Sequence, residues 1–167
     1  VADKNSYLDY GYFGVLGADF DENGFSSGAY TPKPSYYALQ TICSVFAGQV
    51  TPEDLPVLRK PGRSERIFGQ DFDGPNLISS GFRKPDGSSA FVYWCSTDLM
   101  TTEFESTVTL QAAALDGDIS LVDLLDGSIY RFPDNMVEDL GGGRRLLKNI
   151  PIKDYPLLLT FGAFIGN

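Results

Sequence analysis

A mainly β protein, an antiparallel β-sandwich preceded by one β/α unit, is what this sequence predicts, and three observations carry the prediction. Beyond residue 63 apolar residues alternate with polar ones in short runs, and turn-forming residues separate the runs. One helical segment follows the pair Pro32 and Pro34. Ahead of it lies a single short apolar run, Tyr12 to Gly17, of the kind found in strands covered on both faces.

In chain order, Tyr12 to Gly17 reads as the first strand, and Ala18 to Thr31 as a loop rich in turn formers: Asp19, Asp21, Glu22, Asn23 and Gly24. A helix is expected over Ser35 to Ala47, closed by Gly48. Tyr36, Tyr37, Ala38, Leu39, Ile42, Cys43, Val45 and Phe46 cover most of its circumference, and such a helix is normally buried on more than one side. A strand, a loop and one helix cannot cover surfaces of that kind by themselves. Residues 49 to 62, with Pro52, Pro56 and Pro61, read as a linker. The sandwich is expected over residues 63 to 167. Its strands are Leu77 to Arg83, Ser89 to Ser96, Glu103 to Gln111, Ile119 to Leu124, Ser128 to Phe132, Arg144 to Lys148 and Leu157 to Phe164. Pro85-Asp86-Gly87, Asp116-Gly117, Asp126-Gly127 and Gly141-Gly142-Gly143 mark turns between them.

Composition removes several functions. The 167 residues carry 13 Lys+Arg against 22 Asp+Glu, a net charge of −9, so no basic surface for nucleic acid is expected. No apolar run approaches the roughly 20 residues of a membrane-spanning helix. Histidine is absent, which removes Ser–His–Asp and Cys–His catalysis and His-containing zinc sites. Cys43 and Cys95 both lie in apolar stretches and read as buried free thiols. No cofactor and no metal is expected.

Two segments carry a resemblance. Asp9-Tyr10-Gly11-Tyr12-Phe13-Gly14-Val15-Leu16, followed by Tyr30-Thr31-Pro32-Lys33-Pro34-Ser35-Tyr36-Tyr37-Ala38-Leu39-Gln40, resembles the end of the catalytic (β/α)8 barrel of clan A glycoside hydrolases. Leu121-Val122-Asp123-Leu124-Leu125-Asp126-Gly127-Ser128-Ile129-Tyr130 and Ile150-Pro151-Ile152-Lys153-Asp154-Tyr155-Pro156-Leu157-Leu158-Leu159 look like the accessory β-sandwich that follows such barrels. The resemblance implies that residues 1–48 are the last strand, loop and helix of a barrel, joined through 49–62 to an accessory domain at 63–167. Its partner would be the rest of the parent's catalytic barrel. Such enzymes cleave glycosidic bonds with two carboxylates, and no residue here matches either position. The chain is therefore expected to support the barrel structurally and to hydrolyse nothing itself. The alternative is a carbohydrate-binding module, with a polysaccharide as partner.

Candidate site residues follow from both readings. The Asp19 to Tyr30 loop would follow the last barrel strand, on the face where such barrels place their active sites. That makes Asp19, Phe20, Asp21 and Phe25 substrate-proximal candidates. Asp19 to Gly24 also matches the opening of a calcium loop, but its twelfth position is Tyr30, which cannot supply the bidentate carboxylate. Tyr93 and Trp94 are the candidates for a carbohydrate platform. The run Ala90 to Cys95 is apolar on both faces, however, which is the pattern of a doubly covered strand packed in the core. Arg144 and Arg145, beside three glycines, read as a solvated hairpin end.

Overall fold

The computed structural model describes residues 14–60, 66–67, 70–71, 77–96 and 106–165. They form a mainly β structure with one helix, and every strand pair is antiparallel. The strands are β1 (Leu16–Phe20), β2 (Ser26–Pro32), β3 (Thr51–Pro52), β4 (Val57–Lys60), β5 (Arg66–Ile67), β6 (Gln70–Asp71) and β7 (Leu77–Arg83). They continue with β8 (Ser89–Cys95), β9 (Ser106–Ala113), β10 (Ile119–Asp123), β11 (Ile129–Arg131), β12 (Val137–Gly141), β13 (Arg144–Ile152) and β14 (Leu157–Phe161). Helix α1 spans Pro34–Val45.

Two sheets hold the core. The larger is six-stranded in the order β11-β10-β14-β8-β7-β3, and the smaller is four-stranded in the order β12-β13-β9-β4. On β9, Val108, Leu110 and Ala112 are buried, and Thr107, Thr109 and Gln111 between them are more accessible. On β13, Leu147, Ile150 and Ile152 face the same cluster. Leu147 pairs with Leu110 and Ile150 with Val108, so two residues on β13, Lys148 and Asn149, oppose the single Thr109 on β9. That extra residue is a β-bulge, and Asn149 occupies it at φ +51°, a left-handed conformation that Asn tolerates better than most. Without it Ile150 and Ile152 would turn to the wrong face. The sequence pattern ends this strand at Lys148 because the bulge breaks the alternation.

Strand β8 is covered on both sides. Phe91, Tyr93 and Cys95 point into the cluster shared with the smaller sheet, and Ala90 and Val92 point into a second cluster on the outer face. Its neighbour β14 does the same, with Leu157 and Leu159 inward and Leu158 outward. The C-terminal end of α1 covers that outer face: Val45 is buried there, and the Phe46 ring meets Phe82 at 5.0 Å and Phe164 at 5.9 Å, edge to face. Lys84 anchors the same cluster, donating from Nζ to the Phe164 carbonyl at 2.6 Å.

Two expectations are corrected. The segment Ala18 to Thr31 is not an open loop: it folds back as the β1–β2 hairpin, with Leu16 opposite Pro32 and Ala18 opposite Tyr30. A tight turn at Gly24 (φ +82°) allows this pairing, although turn formers dominate the composition. Of the first expected strand, residues 12 and 13 lie outside the described residues. The segment expected as a linker is also structured: β3 lies on one edge of the larger sheet and β4 on one edge of the smaller. Between them the chain crosses from one sheet to the other. Glu53 donates its N–H to the Gly81 carbonyl at 2.9 Å, and the Arg83 guanidinium ion-pairs with Glu53 at 2.7 Å, holding that carboxyl below its ordinary pKa.

The crossing depends on Gly81. A Cβ at that position would collide with the Glu53 carbonyl oxygen and lie 2.7 Å from Leu55 Cγ. Gly81→Ala is therefore expected to push the crossing segment off β7 and to cost on the order of 1–3 kcal/mol in a urea melt, as overpacking does. A variant as stable as the parent would show that residues 53–55 do not pack on β7.

Candidate functional site

The structure places the sequence-predicted residues at two separate locations. Asp19, Phe20, Asp21 and Phe25 come together at the tip of the β1–β2 hairpin, with Phe20 55% and Phe25 73% exposed. Asp21 organises that tip. Its Oδ1 accepts the N–H groups of Asn23 at 2.9 Å and Phe25 at 2.8 Å, and its backbone exchanges hydrogen bonds with Phe25 and Gly24. The segment that matched the opening of a calcium loop is thus the hairpin turn itself. Among the described residues no three metal-ligating side chains stand together.

Tyr93 and Trp94 are neighbours on β8 and so face opposite sides of the sheet. Tyr93 is fully buried and donates its hydroxyl to the Pro151 carbonyl at 2.7 Å, across to the smaller sheet. Trp94 is half-buried in the outer cluster. Tyr93 offers no surface to a ligand, and the two rings cannot form one platform.

Two further expectations are corrected. Cys95 is buried, but Cys43 is exposed, because α1 packs only through its C-terminal end. Arg144 is exposed at the β12–β13 hairpin, whereas Arg145 is engaged: it donates to the carbonyls of Leu115 and Gly117 and lies over the Phe161 ring. A weaker calcium-type match, Asp71, Asp73 and Asn76 in and after the turn Gln70-Asp71-Phe72-Asp73-Gly74, has its side chains outside the described residues.

A cleft of about 450 Å³ opens where β10 and β11 meet the β13–β14 turn. That volume falls in the range of small-molecule sites. Its floor is the core itself, with Leu121 and Leu157 at the base. Tyr130 pairs with Leu121 across β10–β11 and therefore shares Leu121's face of the sheet, but on the edge strand it stays 52% exposed. Tyr155, half-buried, donates its hydroxyl to Asp123 Oδ2 at 2.9 Å. Asp123 Oδ1 accepts the Leu125 N–H at 2.9 Å. Arg131 and Lys153 complete the polar lining. Arg131 makes no hydrogen bond or ion pair with the described residues. A second depression of about 730 Å³ shares Arg131 and includes Arg145, whose guanidinium is already committed to backbone carbonyls.

The sequence does not single out this cleft. Asp123 sits at the end of an apolar strand, Tyr155 beside a proline turn, and 32 residues separate them. The available signal is an ionisable residue closing a strongly apolar run, Leu121-Val122-Asp123, next to an aromatic-rich edge.

Burial pushes the Tyr155 phenol well above its ordinary pKa, and the hydrogen bond to Asp123 and the charges of Asp123, Asp126 and Asp154 add to the shift. Burial alone raises Tyr93. A raised folded-state pKa contributes stability that is present below the unfolded value, near 10, and is lost as pH climbs above it. Of the nine tyrosines, these two are expected to form phenolate only as the protein unfolds, read as absorbance near 295 nm. Tyr155→Phe should make the alkaline loss of stability shallower. Free ionisation of all nine in the folded protein would contradict the burial of both rings. In comparisons with known proteins, no family model matches the chain and no curated protein matches it.

Proposed function

We propose that this chain is the C-terminal region of a clan A-like glycoside hydrolase. In this reading the two sheets form an accessory β-sandwich, and residues 1–48 are the last β/α unit of the catalytic barrel. Its role is structural: the sheets hold the final helix against the barrel through Val45 and Phe46. In this reading the apolar run Tyr12 to Gly17, the last barrel strand, would lead into the β1–β2 hairpin, which takes up its final residues Leu16 and Gly17 and would stand on the face where such barrels place their active sites. Asp19, Phe20, Asp21 and Phe25 would then border the substrate.

One observation carries the proposal beside the resemblance. Among the described residues, seven of the twelve large exposed apolar side chains fall between residues 16 and 42: Leu16, Phe20, Phe25, Tyr30, Tyr37, Leu39 and Ile42. Helix α1 buries only Val45. Exposed apolar side chains concentrated in one stretch of chain suit a covering partner, and the remainder of a barrel is the partner that the surrounding sequence resembles.

The test is sedimentation of the isolated chain across a salt series. Without its barrel the chain is expected to self-associate, more strongly at moderate than at low ionic strength, because a net charge of −9 repels until screened. Leu39→Ser with Ile42→Ser should weaken association and leave the melting of the sheets unchanged. A monomer at every salt concentration, with the amides of 16–45 well protected from hydrogen exchange, would overturn the proposal. The isolated chain is also expected to hydrolyse no aryl glycoside or polysaccharide. Turnover that survives repurification and is lost on mutating one of its own Asp or Glu residues would contradict the reading.

A further inference from the structure

We propose that Asn23 is a site of covalent self-modification, in which its side-chain amide is displaced by the Gly24 backbone nitrogen at a rate set by the Asp21 carboxylate. The inference stands on the tip of the β1–β2 hairpin alone, so it does not rest on the barrel reading.

The sequence supplies the reactive pair. Asparagine is thermolabile because its side-chain carbonyl carbon lies within reach of the next residue's backbone nitrogen. A side chain on that next residue obstructs the approach, and glycine has none. Asn23 is followed by Gly24, whereas Asn5, Asn76, Asn135 and Asn149 are each followed by a residue with a side chain. The pair is exposed, and a Cβ on Gly24 would meet nothing within 4 Å.

The step needs no co-reactant but water. The Gly24 nitrogen bonds to Asn23 Cγ, the Cγ–Nδ2 bond breaks, and the proton from the Gly24 nitrogen leaves with Nδ2 as ammonia. Water then opens the cyclic imide. Opening at Cγ leaves aspartate on an unaltered main chain. Opening at the Asn23 main-chain carbonyl reroutes the chain through Cγ as isoaspartate. Nothing is oxidised or reduced.

The fold restrains the nucleophile. The Gly24 N–H donates to the Asp21 carbonyl at 3.0 Å, and Asp21 Oδ1 accepts the N–H groups of Asn23 at 2.9 Å and Phe25 at 2.8 Å. The amides on both sides of Gly24 are thus tied to one carboxylate. Attack requires the Asn23–Gly24 peptide to rotate toward the Asn23 side chain, which breaks the Gly24 bond and pulls against the other two. Asp21 is therefore a positioning residue, acting through its neighbours' amides. Each conversion adds a carboxylate to a tip that already carries Asp19, Asp21 and Glu22, and the isoaspartate form lengthens the main chain inside the turn that Asp21 spans.

The experiment incubates the full chain at neutral pH and low ionic strength, folded and in urea, and follows the exchange of side-chain NH2 for OH by peptide mass mapping. Isomerisation at Asp86-Gly87, Asp116-Gly117 or Asp126-Gly127 releases no ammonia and leaves the mass unchanged. In urea Asn23 is expected to convert ahead of every other asparagine, and in the folded chain it should convert more slowly than in urea. Asp21→Ala should speed the folded reaction about fivefold, the factor that corresponds to one hydrogen bond of ordinary net strength. Asp21→Asn keeps the acceptor oxygen and should stay near the parent rate. Earlier conversion of another asparagine in urea would overturn the inference, as would equal Asn23 rates in the folded and unfolded chain. Acceleration by Asp21→Asn as large as by Asp21→Ala would assign the effect to charge and overturn the positioning role. An Asp21→Ala variant no faster than the parent would overturn it too.

Discussion

The constraint on which the structure turns is that β8 has no solvent face. Ser89 to Cys95 lies next to the equally buried β14 in the middle of the larger sheet, and both strands need cover above and below. The inner cover is the smaller sheet, reached by the Tyr93 hydroxyl at the Pro151 carbonyl. The outer cover is assembled from scattered parts: Val45 and Phe46 from the end of α1, Phe82 from β7, and Phe164 from the C-terminal segment. The helix is thereby held toward its C-terminal end, where one turn earlier Thr41 also lies against Gly127 of the β10–β11 turn.

How much of this was legible in the sequence follows from which side chains carry a local signal. The strand Leu77 to Arg83 coincides with its sequence reading, because its turns are marked by proline and glycine. The double cover of β8 was visible as an uninterrupted apolar run. β12 was not visible, since Val137, Glu138, Asp139 and Leu140 lie on an exposed edge where neither face imposes a strict alternation. β3 and β4 were hidden by Pro52 and Pro56, which signal a linker but are admissible on edge strands. The hairpin was hidden for a related reason: residues 21 to 30 are all exposed, so no buried face impressed a period of two upon them.

The candidate sites divide along the same line. The hairpin tip was found because its acids and aromatics are contiguous in sequence. The cleft was not, because Asp123, Arg131 and Tyr155 meet only once β10, β11 and the β13–β14 turn are in place. The bulge at Asn149 belongs to that assembly, since it sets the face on which Ile150 and Ile152 enter the core just ahead of Lys153 and Tyr155.

The crossing of residues 51–60 from one sheet to the other has a consequence for how the protein keeps its sheets to itself. Open strand edges are templates for pairing with another chain, and long apolar ones seed fibrils. Here the crossing segment supplies one edge of each sheet: two residues including Pro52 on the larger, four residues ending in Arg59 and Lys60 on the smaller. The opposite edges are the three-residue β11, which ends in Arg131, and β12, which carries Glu138 and Asp139. Each edge is short, interrupted by proline or charged. At the four margins of the two core sheets, edge-to-edge pairing between copies is therefore opposed by short length, proline or charge.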